Sequence, residues 1–359
     1  MQLGDTEIHA IDLLAASLIA FAINLVLTRK WIKLTSKTSL FMVPDENKPG
    51  KPHASAAGGT FTLIAISMGL LFFEIIQIYC RGSEFVLSSL LALSLMTLLS
   101  TLMGFIDDVL SLISYKRSDT EVKGLSPLTR IALMAPISLP LVAIKAGYSR
   151  LDVPLVGVVD LGLLYPLVVV PIGVIGASNA FNMLAGYNGL EAGMGMLLLL
   201  ASLVLGLLKG LDLVIVASVI GIAAILAFIA YNKYPALTFP GNSFTYGIGA
   251  YFAGLVILGN FEKFGVAVFA LYFVELALFL RAKATGVEKR NFAYVCPDGS
   301  LAPPSDKVYS VTHIALKLLA KIKSGSYECP THVSESDVVA FILLLEAVII
   351  LLSIIIILI

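Results

Sequence analysis

The chain has 359 residues, 58% of them hydrophobic and 13% charged, with a mean hydropathy of +0.95. That balance excludes a soluble multidomain protein and points to a single integral-membrane domain over residues 1–359. Lys+Arg and Asp+Glu stand at 24 each, so net charge singles out no partner, and no nucleic-acid ligand is expected.

Ten apolar runs of spanning length are predicted, near 8–29, 57–79, 86–106, 128–147, 159–178, 192–208, 211–231, 244–260, 264–281 and 338–359. The expected fold class is therefore an all-α polytopic membrane protein. The first run has no small-residue cleavage site after it and reads as a retained helix. With the N-terminus outside, the loops after spans 1, 3, 5, 7 and 9 and their flanks hold 19 Lys/Arg. The other side holds 5: Arg81, Lys145, Arg150, Lys209 and Lys263. The positive-inside rule then places those five loops in the cytosol and both termini outside. Cys80, Cys296 and Cys329 show no ligand spacing and are expected to be ordinary small residues.

The first inner loop runs from Phe41 to Gly59, and its prolines at 44, 49 and 52 exclude a helix. Lys48 and Lys51 suit either anionic lipid headgroups or a clamp for a phosphorylated ligand. Span 3 ends in Gly104-Phe-Ile-Asp-Asp108. Two adjacent carboxylates there face the negative end of the helix macrodipole, at a depth where burial is costly. A cation should compensate them, either a metal or Lys116, Arg117 or Lys123 of the following loop. Mg²⁺ suits such a pair, since it takes one or two carboxylates and keeps water or phosphate oxygens.

Between spans 5 and 6, residues 179–193 carry three amides (Asn179, Asn182, Asn188), three glycines (Gly186, Gly189, Gly193) and one charge, Glu191. Asn179 and Asn182 share a helix face. A tight turn needs fewer such residues, so the stretch is expected to form the floor of a binding site. Farther on, Gly241-Asn-Ser243 opens span 8, where a helix N-terminus suits an anion. Phe239 before it is either an interfacial anchor or a stacking platform for a base. Residues 282–337 form a cytosolic insertion with Lys283, Lys289 and Arg290, then a hairpin turn at Pro297–Ser300. The amphipathic stretch Lys307–Lys323 follows. Its Val308, Val311, Ala315, Leu318, Leu319 and Ile322 have helical spacing, and it is expected to lie in the membrane interface. His313 and His332 receive no ligand role. All these polar features fall at inner ends of spans, whereas a transporter places them near the midplane. An enzyme acting on a membrane-embedded substrate is favoured.

Four motifs recur in order: Asp45-Glu-Asn-Lys48 with Gly58-Gly59; Gly104-Phe-Ile-Asp-Asp108; Asn179-Ala-Phe-Asn182 through Asn188-Gly-Leu-Glu191; and Phe239-Pro-Gly-Asn242. With them the whole chain resembles the polyprenyl-phosphate N-acetylhexosamine-1-phosphate transferases, most closely the dolichyl-phosphate N-acetylglucosamine phosphotransferases of archaea and eukaryotes. The resemblance implies Mg²⁺-dependent transfer of N-acetylglucosamine-1-phosphate from UDP-GlcNAc to dolichyl phosphate, with release of UMP. That is the first step of lipid-linked glycan assembly for N-glycosylation. By the same resemblance Asp107 and Asp108 are the catalytic acidic pair beside the lipid phosphate, joined by Lys123. Asn182 and Asn242 would hold the metal, and Asn188 and Phe239 the uracil. Asp45, Asn47, Lys48, Asn179, Gly186, Glu191, Lys289 and Arg290 complete the substrate contacts. The implied partners are a UDP-sugar, a polyprenyl phosphate, the membrane and a second copy of the chain as a homodimer. The implied location is the cell membrane in an archaeon or the endoplasmic reticulum in a eukaryote, with the site facing the cytosol. The alternatives are the same chemistry with another UDP-sugar, or a non-catalytic transporter or lipid-binding protein.

Three departures from the family pattern stand out. Asn242 replaces an Asp, which implies weaker metal binding. Ala56 stands near the position of an acidic residue tied to sugar recognition. The histidine-rich motif of the bacterial phospho-MurNAc-pentapeptide transferases is missing, which argues against their substrate.

Overall fold

A computed structural model describes residues 8–83, 87–118, 124–153, 157–323, 329 and 332–358. Helix α1 (Ala10–Thr38) leads into the antiparallel strands β1 (Met42–Pro44) and β2 (His53–Ser55), with Val43 opposite Ala54. The three prolines leave this loop no helical option and shape it as a short ribbon. Helix α2 (Thr60–Ile76) continues through a π-helical turn at Gln77–Arg81, and α3 (Leu87–Ser118) returns. The run predicted as one span near 128–147 is broken into α4 (Pro127–Met134), a 3₁₀ turn (Ala135–Ser138) and α5 (Leu139–Ala143). Pro136 and Pro140 remove the backbone donors a continuous helix would need. Strands β3 (Arg150–Val153) and β4 (Gly157–Asp160) pair at the far end. A π-helical turn at Tyr165–Val169 then enters α6 (Val170–Met183), followed by α7 (Leu190–Lys209), α8 (Asp212–Asn232) and α9 (Gly241–Gly259). The predicted span near 264–281 is α10 (Glu262–Ala267) and α11 (Ala270–Ala284). Strands β5 (Tyr294–Val295) and β6 (Leu301–Ala302) pair across Pro297–Ser300, before α12 (Val311–Lys323) and α13 (Glu335–Leu358).

Among the described residues, seven helices are long and apolar enough to cross a membrane: Ala10–Thr38, Thr60–Arg81, Leu87–Lys116, Tyr165–Met183, Leu190–Lys209, Asp212–Asn232 and Glu335–Ile356. The protein is thus a largely helical, polytopic membrane protein.

Helix α9 is absent from those seven, yet it is the most buried helix of the bundle. Its glycines and hydroxyl residues lower its hydropathy and in exchange let neighbouring backbones touch. A Cβ on Gly104 of α3 would lie 2.3 Å from the carbonyl oxygen of Asn242. Ser100 of α3 and Ser178 of α6 both donate to the Tyr246 carbonyl, at 2.9 and 3.1 Å. The N-terminus of α9 is therefore held between α3 and α6, where the site forms.

In the segment before α13 the expectation for the cysteines is overturned, and helix α12 turns part of its predicted apolar stripe inward. It buries Val311, Ala315, Leu316, Leu319 and Ala320 within the protein, and leaves Leu318 and Ile322 of that stripe exposed. Its N-terminus is fixed by the buried Glu275 of α11, which accepts from the Val311 N–H at 2.7 Å and from Ser310 Oγ at 3.1 Å, and pairs with Lys289. Tertiary packing has chosen the face, as amphipathic spacing alone cannot. Cys296 and Cys329 form a disulfide with Cα atoms 5.6 Å apart, not two unrelated small residues. The chain doubles back there, with the Leu301 N–H donating to the Val333 carbonyl at 2.8 Å, and a separation of 33 residues in sequence says nothing of that proximity. Closing such a loop stabilises by about 3–4 kcal/mol.

Candidate active site

The acidic pair ends up at the crossing of α3 and α9. Asp108 accepts the backbone N–H groups of Asn242 at 2.7 Å and Ser243 at 3.0 Å, one on each oxygen. It thereby satisfies donors that the first turn of α9 would otherwise leave open, beside the positive end of that helix dipole. Gly241 makes the approach possible, with φ +78°, and a Cβ there would lie 2.5 Å from Asp108 Oδ2.

Asp107 is fully buried. Its Oδ1 accepts the Leu125 N–H at 2.6 Å, and its Oδ2 accepts Tyr246 Oη–H at 3.0 Å and Asn242 Nδ2–H at 3.1 Å. Arg130 Nε stands 3.2 Å from the same Oδ2, an ion pair without hydrogen-bond alignment. Asn182 on α6 joins the group, accepting from Thr245 Oγ1 at 2.9 Å and donating to Tyr246 Oη at 3.4 Å. Asp107, Asp108, Asn182 and Asn242 therefore meet in one network, although they arise from three separate helices.

The compensating cation demanded by this acid pair is Arg130, in the first turn of α4, which sequence reasoning missed. Lys123 lies outside the described residues, and Lys116 donates to the Ser39 carbonyl at 3.2 Å. Tyr246 was also missed. Its only signal is its position one helical turn after Asn242, on the same face.

A second network surrounds the turn between α6 and α7. Asn188 is 4% exposed and its amide is saturated. Its Nδ2 donates to Asp45 at 3.1 Å and Glu335 at 2.7 Å, and its Oδ1 accepts from the Ala236 N–H at 2.7 Å and Lys48 Nζ at 3.2 Å. Lys48 also pairs with Asp45 and lies 4.8 Å from the centre of the Tyr234 ring. Glu191 accepts the Gly186 N–H at 2.9 Å, and Asn47 donates to the Gly186 carbonyl at 2.9 Å while accepting from the Ala293 N–H at 3.0 Å. Phe239, half-buried, is fixed by its own backbone, its N–H donating to the Ser55 carbonyl at 2.7 Å.

Of the remaining expected contacts, Asn179 lies away from the turn, while Lys289 and Arg290 belong to the segment that crosses it. Asn179 donates back to the Ile175 carbonyl at 2.9 Å and lies against Met134 of α4, away from the turn. Lys289 is matched by the buried carboxylate of Glu275, and its Nζ also donates to the Met183 carbonyl at 3.2 Å. Arg290 is exposed, and His313 Nε2 bonds its carbonyl at 2.8 Å. His313 Nδ1 accepts the Tyr309 N–H, so the ring is neutral with its proton on Nε2, and burial lowers its pKa from the ordinary value. Tyr187 donates to the Asn291 carbonyl at 3.2 Å, and burial raises its phenol pKa well above the usual range. Asn291, also unforeseen, donates to the Met183 and Ala185 carbonyls at 3.1 and 2.9 Å and lays the 289–293 strap across the turn.

Segments 41–59, 124–126, 184–189, 233–240 and 289–293 thus converge at one end of the bundle. Among the described residues no three His, Cys, Asp or Glu side chains cluster as metal ligands. The oxygen donors present are two carboxylates and two amide carbonyls.

Comparison with known proteins agrees with this arrangement. A profile of the family described as Glycosyl transferase family 4 matches residues 90–260, which span α3 to α9. A protein of Saccharolobus solfataricus, named for a UDP-N-acetylglucosamine–dolichyl-phosphate N-acetylglucosaminephosphotransferase, is 33% identical over 307 residues, 84% of this chain and 87% of its own. A protein of the same name from Sulfolobus acidocaldarius is 29% identical over 87% of this chain and 89% of its own. A phospho-N-acetylmuramoyl-pentapeptide-transferase of Clostridium botulinum is 27% identical over 76% of this chain and 82% of its own. With a relative 33% identical over most of both chains and the family profile running from α3 to α9, the chain belongs to glycosyl transferase family 4.

Proposed function

We propose that this protein transfers N-acetylglucosamine-1-phosphate from UDP-GlcNAc to a polyprenyl phosphate of the dolichyl type, releasing UMP and opening lipid-linked glycan assembly. The observation that carries this reading is the meeting of Asp107, Asp108, Asn182, Asn242 and Arg130 at one end of the bundle. In the reaction an oxygen of the lipid phosphate attacks the β-phosphorus of the UDP-sugar. The bond from that phosphorus to the bridging oxygen breaks, and UMP leaves with the electron pair. The protein mainly positions the two phosphates and offsets their charge. Arg130 supplies fixed positive charge, and Asp107 orients the lipid phosphate and holds a proton taken from it. Asp108 anchors the α9 N-terminus beside the site by accepting the Asn242 and Ser243 N–H groups. With ten crossings, as the hydropathy pattern predicts, the Lys/Arg bias turns this end of the bundle to the cytosol.

The donor set is all oxygen and suits a hard cation. Asp107, Asp108, Asn182 and Asn242 would hold Mg²⁺, which when bound neutralises the diphosphate. In this chain Asn242 also donates an N–H to Asp107, where an Asp would set carboxylate against carboxylate. Asn242→Asp is therefore expected to lower metal-free stability by roughly 1–3 kcal/mol. It should also enlarge the rise in melting temperature on adding Mg²⁺. Equal Mg²⁺ shifts in parent and variant would overturn this assignment of Asn242.

The test of function is UMP release by the purified full chain with dolichyl phosphate, Mg²⁺ and UDP-GlcNAc, run beside UDP-GalNAc and UDP-glucose. UMP is expected from UDP-GlcNAc in step with lipid-linked sugar. No UMP from any of the three sinks the transferase reading. Label exchange between UMP and UDP-GlcNAc without lipid would replace direct displacement by a two-step route.

A further inference from the structure

The turn between α6 and α7 is held from two directions. Glu191, in the first turn of α7, accepts the Gly186 N–H. Glu335, in the first turn of α13 and 147 residues away from Asn188, accepts both the backbone N–H and the side-chain Nδ2–H of Asn188, each at 2.7 Å on Oε1. Glu335 is 3% exposed, so solvent cannot take over either bond. This contact, with Asp45 accepting from Nδ2 and Lys48 donating to Oδ1, sets the orientation of the Asn188 amide. Its carbonyl is thereby aimed at the Ala236 N–H, 2.7 Å away. Ala236 begins the segment that carries Phe239 and ends at Asn242. A carboxylate at the head of the last helix thus sets the relative placement of the amide-rich turn and the segment entering α9.

We propose that Glu335 is a positioning residue for nucleotide binding, acting through Asn188 to hold the 186–189 turn and the 236–242 segment in the geometry that receives the nucleoside. The proposal rests on the UDP-sugar reading above. It adds a residue from a helix that carries none of the recognisable motifs. Gln at 335 keeps an acceptor for both Asn188 donors, whereas Met of similar shape keeps none.

The experiment uses the full chain in detergent and two readouts. The first is calorimetric binding of UMP together with steady-state kinetics. Glu335→Met is expected to weaken UMP binding by about tenfold to a hundredfold, the range for losing a charge-assisted hydrogen bond. KM for UDP-GlcNAc should rise with kcat largely kept, and Glu335→Gln should stay within about threefold of the parent. The second readout is amide hydrogen exchange of residues 186–190 without nucleotide, expected to be at least about tenfold faster in Glu335→Met and parent-like in Glu335→Gln. Should the Met variant not fold, Glu335→Asp, one methylene shorter, is expected to fall between the two. Unchanged exchange and unchanged UMP affinity in Glu335→Met or Glu335→Asp would overturn the proposal, as would a fall in kcat at constant KM. A parent that binds no UMP would instead sink the UDP-sugar reading itself.

Discussion

Asp107→Asn is expected to cut the rate of UMP release by about a thousandfold or more, the scale of losing a placed acid–base group together with its electrostatic role. The argument rests on crowding around one oxygen. Asp107 Oδ2 receives Tyr246 Oη–H, Asn242 Nδ2–H and the Arg130 charge, all within 3.2 Å. An amide there can still accept through its oxygen, but it can no longer hold a proton from the lipid phosphate, and its NH₂ would oppose donors. Some loss of stability accompanies this, about 1–3 kcal/mol for the buried mismatch. The melting temperature separates that from the chemistry, because a folded variant with an intact UMP affinity and no turnover assigns the loss to the reacting step. Turnover within tenfold of the parent would remove Asp107 from the chemistry. Asp108→Asn makes a useful contrast. Its carboxylate caps α9, so that variant should lose more in melting temperature relative to rate.

The second large effect is expected at Arg130. Arg130→Ala should lower kcat by about a hundredfold to a thousandfold, as removal of fixed charge from a phosphoryl-transfer site does. It also strips the cationic partner from a fully buried carboxylate. Because the guanidinium is about a quarter exposed, the stability cost is screened and should stay near 1–2 kcal/mol. Arg130→Lys should recover part of the rate, since a point charge can replace the field but not the planar geometry. The same assay on Lys123→Ala ranks Lys123 against Arg130 directly. A normal rate in Arg130→Ala would show that Asp107 draws its compensation from elsewhere.

How much of this was legible from residues alone depended on whether the signal was local. The apolar runs are local, because spanning a bilayer requires about twenty consecutive apolar residues. Proline effects are local too, and the β1–β2 ribbon follows from them. The acid pair, which the structure sets inside α3 and not at a helix C-terminus as the hydropathy pattern predicts, the amides of 179–188 and Asn242 announce themselves because polar groups in apolar surroundings need a reason. Long-range pairing leaves no such mark. Glu335 is one carboxylate at the head of an apolar run, and nothing near it names Asn188 as its target. Nothing near Lys289 in the sequence names Glu275 as its partner either.

Sequence by itself settled that this is a polytopic membrane protein and picked out the motifs proposed to carry its chemistry, since composition and hydropathy act residue by residue along the chain. Tertiary structure alone decided that Arg130 is the cation set against Asp107, that Asn188 is saturated by its neighbours, that α12 packs inward and that Cys296 meets Cys329. Those facts arise where helices distant in sequence cross. At such crossings the pairing is set by the register of close-packed backbones, as at Gly104 and Asn242, and not by the propensity of any single stretch.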